Sequence, residues 1–189
     1  MSAIQQATLE TKTRVTGEEL AAMGDMGPSE LIEGEIIYMP PTGDEHGIFE
    51  FNIGGEIRAF VRKHKLGYVS GGEVGIYIRR NPDTVRAADV AFISNERYAK
   101  RGMSVYLDVA PDLIVEIMSP ADRWSEVMKK MEEYFAIGVR LVLVVEPDTK
   151  SVYAYRSLTD VQRFKKGATL SFQDILPGFS MAVEEIFAK

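Results

Sequence analysis

Two short apolar runs constrain the fold of this 189-residue chain more than any other feature. One is Leu113-Ile-Val-Glu-Ile-Met118 and the other is Leu141-Val-Leu-Val-Val145. Both are strand-sized and almost unbroken, where a strand with one wet face would alternate apolar and polar residues. Runs of this kind belong to central strands covered on both faces, so the chain has to supply cover for a sheet. It has the material: 46% of residues are hydrophobic and 10% aromatic, ample for a packed core and too apolar for disorder. The length suits one domain, expected over residues 15–189, after a loose polar tail at residues 1–14.

The covering elements are legible around those runs. Thr16-Gly-Glu-Glu19 has the form of a capping box and predicts a short helix to about Met23. Glu30–Glu33 and Glu35–Met39 flank Gly34 and predict a β-hairpin, ended by Pro40-Pro41. Asp44–Lys65 carries Ile48, Phe49, Ile53, Ile57, Phe60 and Val61 at helical spacing, with an acid as its capping residue and Gly67 just past its end. Tyr68–Ile78 reads as a strand bent or bulged at Gly71-Gly72, and Ala87–Ile93 as a second strand. Asn95–Val109 reads as a short helix and a loop. Asp122–Ile137 is a helix closed by Gly138. Strands follow at Arg140–Val145, Ser151–Arg156 and Gln162–Lys165, and a terminal helix near Met181–Phe187. This order predicts an α/β or α+β fold with helices packed on a mixed sheet.

Several functions are excluded or disfavoured. No apolar run approaches the roughly 18 residues of a membrane span, and the N-terminus lacks the apolar core of a secretory signal. Without cysteine there is no disulfide, thiolate metal site or cysteine nucleophile, and a cytoplasmic location fits. The phosphate-cradling, dinucleotide, nucleophile-elbow and HExxH zinc motifs are all missing. The net charge of −6 is awkward for a nucleic-acid partner, although basic stretches occur at Arg58–Lys65, Arg79–Arg80, Arg97–Arg101 and Arg163–Lys166.

The chemistry-bearing candidates are acids in the wrong place. Asp89 stands in Arg86-Ala-Ala-Asp-Val-Ala-Phe92, in or at the start of a strand, and aspartate is a poor strand former. Glu116 is flanked by apolar residues on both sides. A buried carboxylate needs a partner, a hydrogen-bond network or a metal. Arg86 and Arg123 are the candidate ion-pair partners; a shared divalent cation is the alternative. On the Asp122–Ile137 helix, Val127, Met131, Tyr134, Phe135 and Gly138 form the core-facing arc and Lys130 falls at its edge, while Lys129 points away. Lys130 either lies along the core toward the adjacent strand or reaches for solvent. Two carboxylates and an ammonium suit Mg²⁺- or Mn²⁺-assisted hydrolysis of a phosphodiester.

These residues resemble a known pattern. Glu30-Leu-Ile-Glu-Gly-Glu35, Glu45-His46-Gly47, Val85-Arg-Ala-Ala-Asp-Val-Ala-Phe92, Pro111-Asp-Leu-Ile-Val-Glu-Ile-Met-Ser-Pro120, and Lys130 with Tyr134 and Gly138-Val-Arg140 occur in that order. Over about Thr16–Phe187 the chain resembles the Uma-type family of restriction-endonuclease-like proteins, in the PD-(D/E)XK nuclease superfamily. The resemblance implies a restriction-endonuclease-like central mixed β-sheet flanked by helices, with an N-terminal β-hairpin. It implies Asp89 and Glu116 as ligands of Mg²⁺ or Mn²⁺, joined by the Ile117 carbonyl, in an endonuclease acting on DNA. Two positions depart from the superfamily pattern: Ala88-Asp89 replaces its Pro-Asp, and Met118 stands where the catalytic lysine belongs. The resemblance moves that lysine to Lys130. His46 and Glu30 are further candidates for the catalytic set, His46 as a contact to phosphate or metal-bound water. Glu35, Glu73 and Trp124 are noted as neighbours. A homodimer suits the two cuts of a duplex. Two rivals stand beside this expectation: a binding module of the same fold without catalysis, and an interaction protein whose two acids pair with arginines.

Overall fold

The computed structural model describes residues 14–189. The expected tail, apart from Arg14, lies outside them. The described elements are α1 (Gly17–Ala22), β1 (Ser29–Ile32), β2 (Glu35–Tyr38), α2 (Asp44–His64), β3 (Gly67–Arg79), β4 (Thr84–Ser94) and α3 (Asn95–Tyr98). They continue with β5 (Leu113–Ile117), α4 (Trp124–Ala136), β6 (Leu141–Glu146), β7 (Ser151–Tyr155), β8 (Val161–Phe164), β9 (Thr169–Leu170), β10 (Met181–Ala182) and α5 (Val183–Ile186).

Eight strands form one mixed sheet in the order β2-β1-β4-β5-β6-β7-β8, with β3 also paired to β4. Every pairing is antiparallel except β5 with β6, which α4 joins as a crossover. The two apolar runs are those parallel neighbours. Leu113, Ile114 and Val115 on β5 and all five residues Leu141–Val145 on β6 have no exposed surface. Each large aliphatic side chain fully buried there contributes about 1.5–3 kcal/mol. The expectation of a strand covered on both faces holds. On one side Leu113, Val115, Leu141 and Leu143 pack with Phe49, Ile53, Ile57 and Val61 of α2. On the other, Ile114, Val142 and Val144 pack with Met131 and Tyr134 of α4.

The local signals mostly act as expected. Thr16 Oγ1 accepts from the Glu19 amide and the Glu19 carboxylate accepts from the Thr16 amide, closing the capping box. Glu33 and Gly34 both have positive φ, which a tight hairpin turn requires. At the helix ends the details differ. Gly43 caps α2 without a side-chain bond, and Asp44 sits in the first turn. Its C-terminal left-handed residue is Lys65, at φ 55°. Gly67 instead opens β3, where a Cβ would lie 2.0 Å from the Ile93 carbonyl oxygen. The terminal segment is also different. Met181 and Ala182 pair with Leu170 and Thr169, so ladder bonds take the residues expected to start the helix and leave α5 with one turn.

One irregularity positions everything that follows. On β4, Ala88 packs with the α4 layer and Val90, two residues on, with the α2 layer. Strict alternation would put both on one face. The change occurs at Asp89, opposite the expected bulge. Gly71 pairs with Val90 and Val74 with Ala88, so Gly72 and Glu73 together oppose Asp89. Both have positive φ, at 77° and 61°. A bulge of this kind sharpens the local twist and re-aims a side chain.

Candidate metal centre

The other side of β4 has a gap at the same place. There β4 pairs with β1 at Val85 and with β5 only over Val90–Phe92. Backbone groups between those points have no ladder partner on that side, and buried ones must be satisfied. Side chains do it. The Ala87 amide donates to Glu30 Oε1 at 3.0 Å, and Lys130 Nζ donates to the Ala87 carbonyl at 2.7 Å. The Ile117 amide, just past the end of the β4–β5 pairing, donates to Asp89 Oδ2 at 2.6 Å. The candidate residues thus occupy the place where two strands part.

Lys130 takes the inward course. Its ammonium donates to Glu116 Oε2 at 2.9 Å and stands 3.3 Å from Glu30 Oε1. The Ala87 carbonyl takes a second of its three donors, and the approach to Glu30 is an ion pair without a hydrogen bond. Burial disfavours its charge, but Glu116 and Glu30 outweigh that and hold its pKa above the ordinary lysine value. The other oxygen of Glu116 accepts from the Tyr134 hydroxyl at 2.7 Å. Burial pushes Glu116 upward even so, against the pull of Lys130 and Tyr134.

Arg86 serves neither strand acid. It donates to Glu30 Oε2 at 2.7 Å and to Glu133 Oε2 at 2.5 Å. Glu30 is therefore fastened by Arg86, Lys130 and the Ala87 amide. Burial would raise its pKa, but the two cations bring it below the usual carboxylate value. Trp124 packs edge-on against Tyr153 with ring centres 5.2 Å apart.

Asp89 has no lysine or arginine ion-pair partner among the described residues. Burial, then the charge of Glu116, pushes its pKa up to about 8. Its neighbours from α2 are His46, whose Nε2 is 3.6 Å from Asp89 Oδ2, and Glu50. One ligand atom from each of His46, Glu50 and Asp89 lies within 4.8 Å of the other two. Glu50 Oε1 is steadied by the Gly72 amide at 2.8 Å, so the bulge also orients a second carboxylate. The buried His46 Nδ1 has no hydrogen-bond partner among the described residues. Two carboxylates, one short of compensating charge, and an imidazole with an orphaned nitrogen fit a divalent cation.

The structure therefore brings Asp89, His46, Glu116, Lys130 and Glu30 into one connected neighbourhood. Only Asp89 and His46 of these belong to the three-residue cluster. Glu50 was not anticipated, although His46 and Glu50 are one helical turn apart, a spacing that puts them on one face. Glu73 lies in the bulge opposite Asp89, and burial raises its pKa.

This sheet, with its flanking helices and an acid at a parted strand pair, has a restriction-endonuclease-like architecture. Residues 18–184 match the Uma2 family, described as "Putative restriction endonuclease", and the chain belongs to that family. The fold is similar to the crystal structure of a protein from Anabaena variabilis ATCC 29413, described as "a putative nuclease belonging to DUF820". The TM-score is 0.75 with 21% sequence identity, over 92% of this chain and 97% of that one. No curated protein matches. Among the described residues no helix is long and apolar enough to cross a membrane.

Proposed function

We propose that the chain is a Mg²⁺- or Mn²⁺-dependent endonuclease that hydrolyses phosphodiester bonds in DNA. The observation that carries this is Asp89, a buried carboxylate with no lysine or arginine partner among the described residues, within reach of His46 and Glu50 and pressed by the charge of Glu116. Asp89 holds the ion, with Glu116 and the Ile117 carbonyl as the sequence suggested, and His46 and Glu50 completing the set from α2. Carboxylates suit Mg²⁺ and Mn²⁺, and the imidazole favours the softer Mn²⁺ of the two. When bound, such an ion acidifies water and offsets charge on the reacting phosphate.

The chain's own residues prepare the site. Lys130 pulls Glu116 toward its ionised form, against burial, and is itself kept protonated. Its contact with Glu30, at 3.3 Å, is an ion pair and not a hydrogen bond, so its third N–H is the one to turn toward a phosphate oxygen or the attacking water. Tyr134 and Arg86 hold Glu116 and Glu30 in place and thereby fix Lys130. The bulge at Gly72 fixes Glu50. A homodimer and a cytoplasmic location belong to the same proposal.

A module of this fold without catalysis is the second reading. Met118 and the hold that the Ala87 carbonyl and Glu116 keep on Lys130 favour it. Supercoiled plasmid incubated with Mg²⁺ or Mn²⁺ decides between them. The proposal predicts nicking that EDTA abolishes and that Asp89→Asn, Glu116→Gln and Lys130→Ala each reduce by at least about a hundredfold. No metal-dependent nicking by the wild type on any DNA favours the module.

A further inference from the structure

The α2 helix carries side chains that do nothing for the fold. Phe51 is 79% exposed, and Arg58 and Arg62 are exposed with no side-chain hydrogen bond or ion pair among the described residues. By contrast Arg79, Arg80, Arg86, Arg97 and Arg156 are each in an ion pair. Positions 51, 55, 58 and 62 lie on one helix face. That face borders a groove against β3. A cavity of about 290 Å³ reaches from Glu50 and Phe51 past Gly54, Gly55 and Arg58. A second, of about 370 Å³, continues past Arg62 to Tyr68 and shares Arg58, Val69 and Ser70 with the first. A Cβ at Gly55 would meet nothing within 4 Å, so glycine there leaves room rather than serving packing.

The groove has a direction. One end is Glu50 of the candidate metal centre, and the other is the half-exposed Tyr68, tilted against Tyr98 with ring centres 4.0 Å apart. At 1.5 Å rise per residue, Arg58 stands about 12 Å and Arg62 about 18 Å along the helix from Glu50. Cations and exposed rings in a row that ends at a candidate cutting site suit a polyanion with free base faces. In an acidic chain, a local cationic row is where phosphate affinity has to come from.

We propose that this groove is the track for an unpaired DNA strand, with Arg58 and Arg62 on backbone phosphates and Phe51 and Tyr68 stacking bases. The proposal rests on the nuclease reading of the metal centre. A single strand is favoured over a duplex because a duplex hides its base faces in its own stack.

The test is fluorescence anisotropy on the full chain in EDTA, where no strand is cut. The probe is a labelled deoxyoligonucleotide of about 16 nucleotides, single-stranded or annealed to its complement. The single strand is expected to bind at least tenfold more tightly than the duplex. Phe51→Ala is expected to weaken binding about five- to hundredfold. The double variant Arg58→Ala, Arg62→Ala is expected to flatten the log–log salt dependence by about 1.4, for two phosphates on a single strand. All three side chains are exposed, so unchanged melting curves separate lost binding from lost folding. Equal binding of duplex and single strand, or variants that bind like wild type, would overturn the groove. Binding as expected without Mn²⁺-dependent cutting would leave the groove standing and sink the nuclease reading. Cutting that ignores all three residues would do the reverse.

Discussion

Replacing Asp89 by asparagine should make the metal-free protein more stable. Burial and the charge of Glu116 raise the pKa of Asp89 from 3.8 to about 8. A carboxyl whose pKa is raised in the folded state contributes fully below its unfolded pKa, and that contribution is lost as pH rises toward the folded one. Each pH unit above 3.8 costs the fold about 1.4 kcal/mol, so at pH 7 the cost is about 4 kcal/mol. Asparagine is neutral without taking up a proton and keeps an acceptor for the Ile117 amide. It also brings two N–H groups beside acidic neighbours, so a net gain of about 2–4 kcal/mol is expected. For a chain of this size that raises Tm by roughly 5–15 °C. The assay is thermal unfolding of both proteins in EDTA from pH 4 to pH 8.5. The gap in Tm should be small at pH 4, widen through neutral pH and level off above about pH 8. Saturating Mn²⁺ should then raise wild type and leave Asp89→Asn unmoved, since a ligand at 100 times its Kd adds about 2.7 kcal/mol. A variant less stable than wild type at pH 7, or a gap independent of pH, refutes the electrostatic account of this site.

Other outcomes follow from the same contacts. Lys130→Met should destabilise by about 3–5 kcal/mol in urea unfolding at pH 7, because it strips Glu116 of its cation, and by less at pH 5, where Glu116 more readily takes up a proton. Tyr134→Phe removes one bond to Glu116 and should cost about 1.5–3 kcal/mol in the same assay. Glu50→Gln should weaken Mn²⁺ affinity in calorimetry by at least tenfold, with little change in Tm measured in EDTA, since Glu50 is only part-buried and bonded to one amide. Gly67→Ala forces a Cβ into the Ile93 carbonyl and should lower stability by about 1–3 kcal/mol without changing metal affinity.

The layered sheet was legible because β5 and β6 have almost no polar residues. The bulge was legible too, from Gly71-Gly72. What the chain does not spell out is where a bulge points its neighbours. Asp89 and Glu116 are both acids in strands, yet one turns to α2 and the other to α4. That outcome depends on the face change at Asp89, which periodicity alone does not contain. Arg86, a candidate ion-pair partner by sequence, serves Glu30 and Glu133 instead. Lys130 was legible as the edge of a helical arc, because a long side chain there has only two courses. Glu50 carries no such signal, because an acid on a helix is ordinarily a solvated one. The terminal helix shortened because two of its residues found strand partners in β9, a pairing too short to leave a pattern.

The central claim is that Asp89 organises a divalent-metal site. Crystals soaked in Mn²⁺ test it most directly through anomalous scattering. The account predicts a peak within about 2.0–2.4 Å of an Asp89 oxygen, with His46, Glu50 or Glu116 among the remaining ligands. No peak at saturating Mn²⁺, or one that does not touch Asp89, would contradict it.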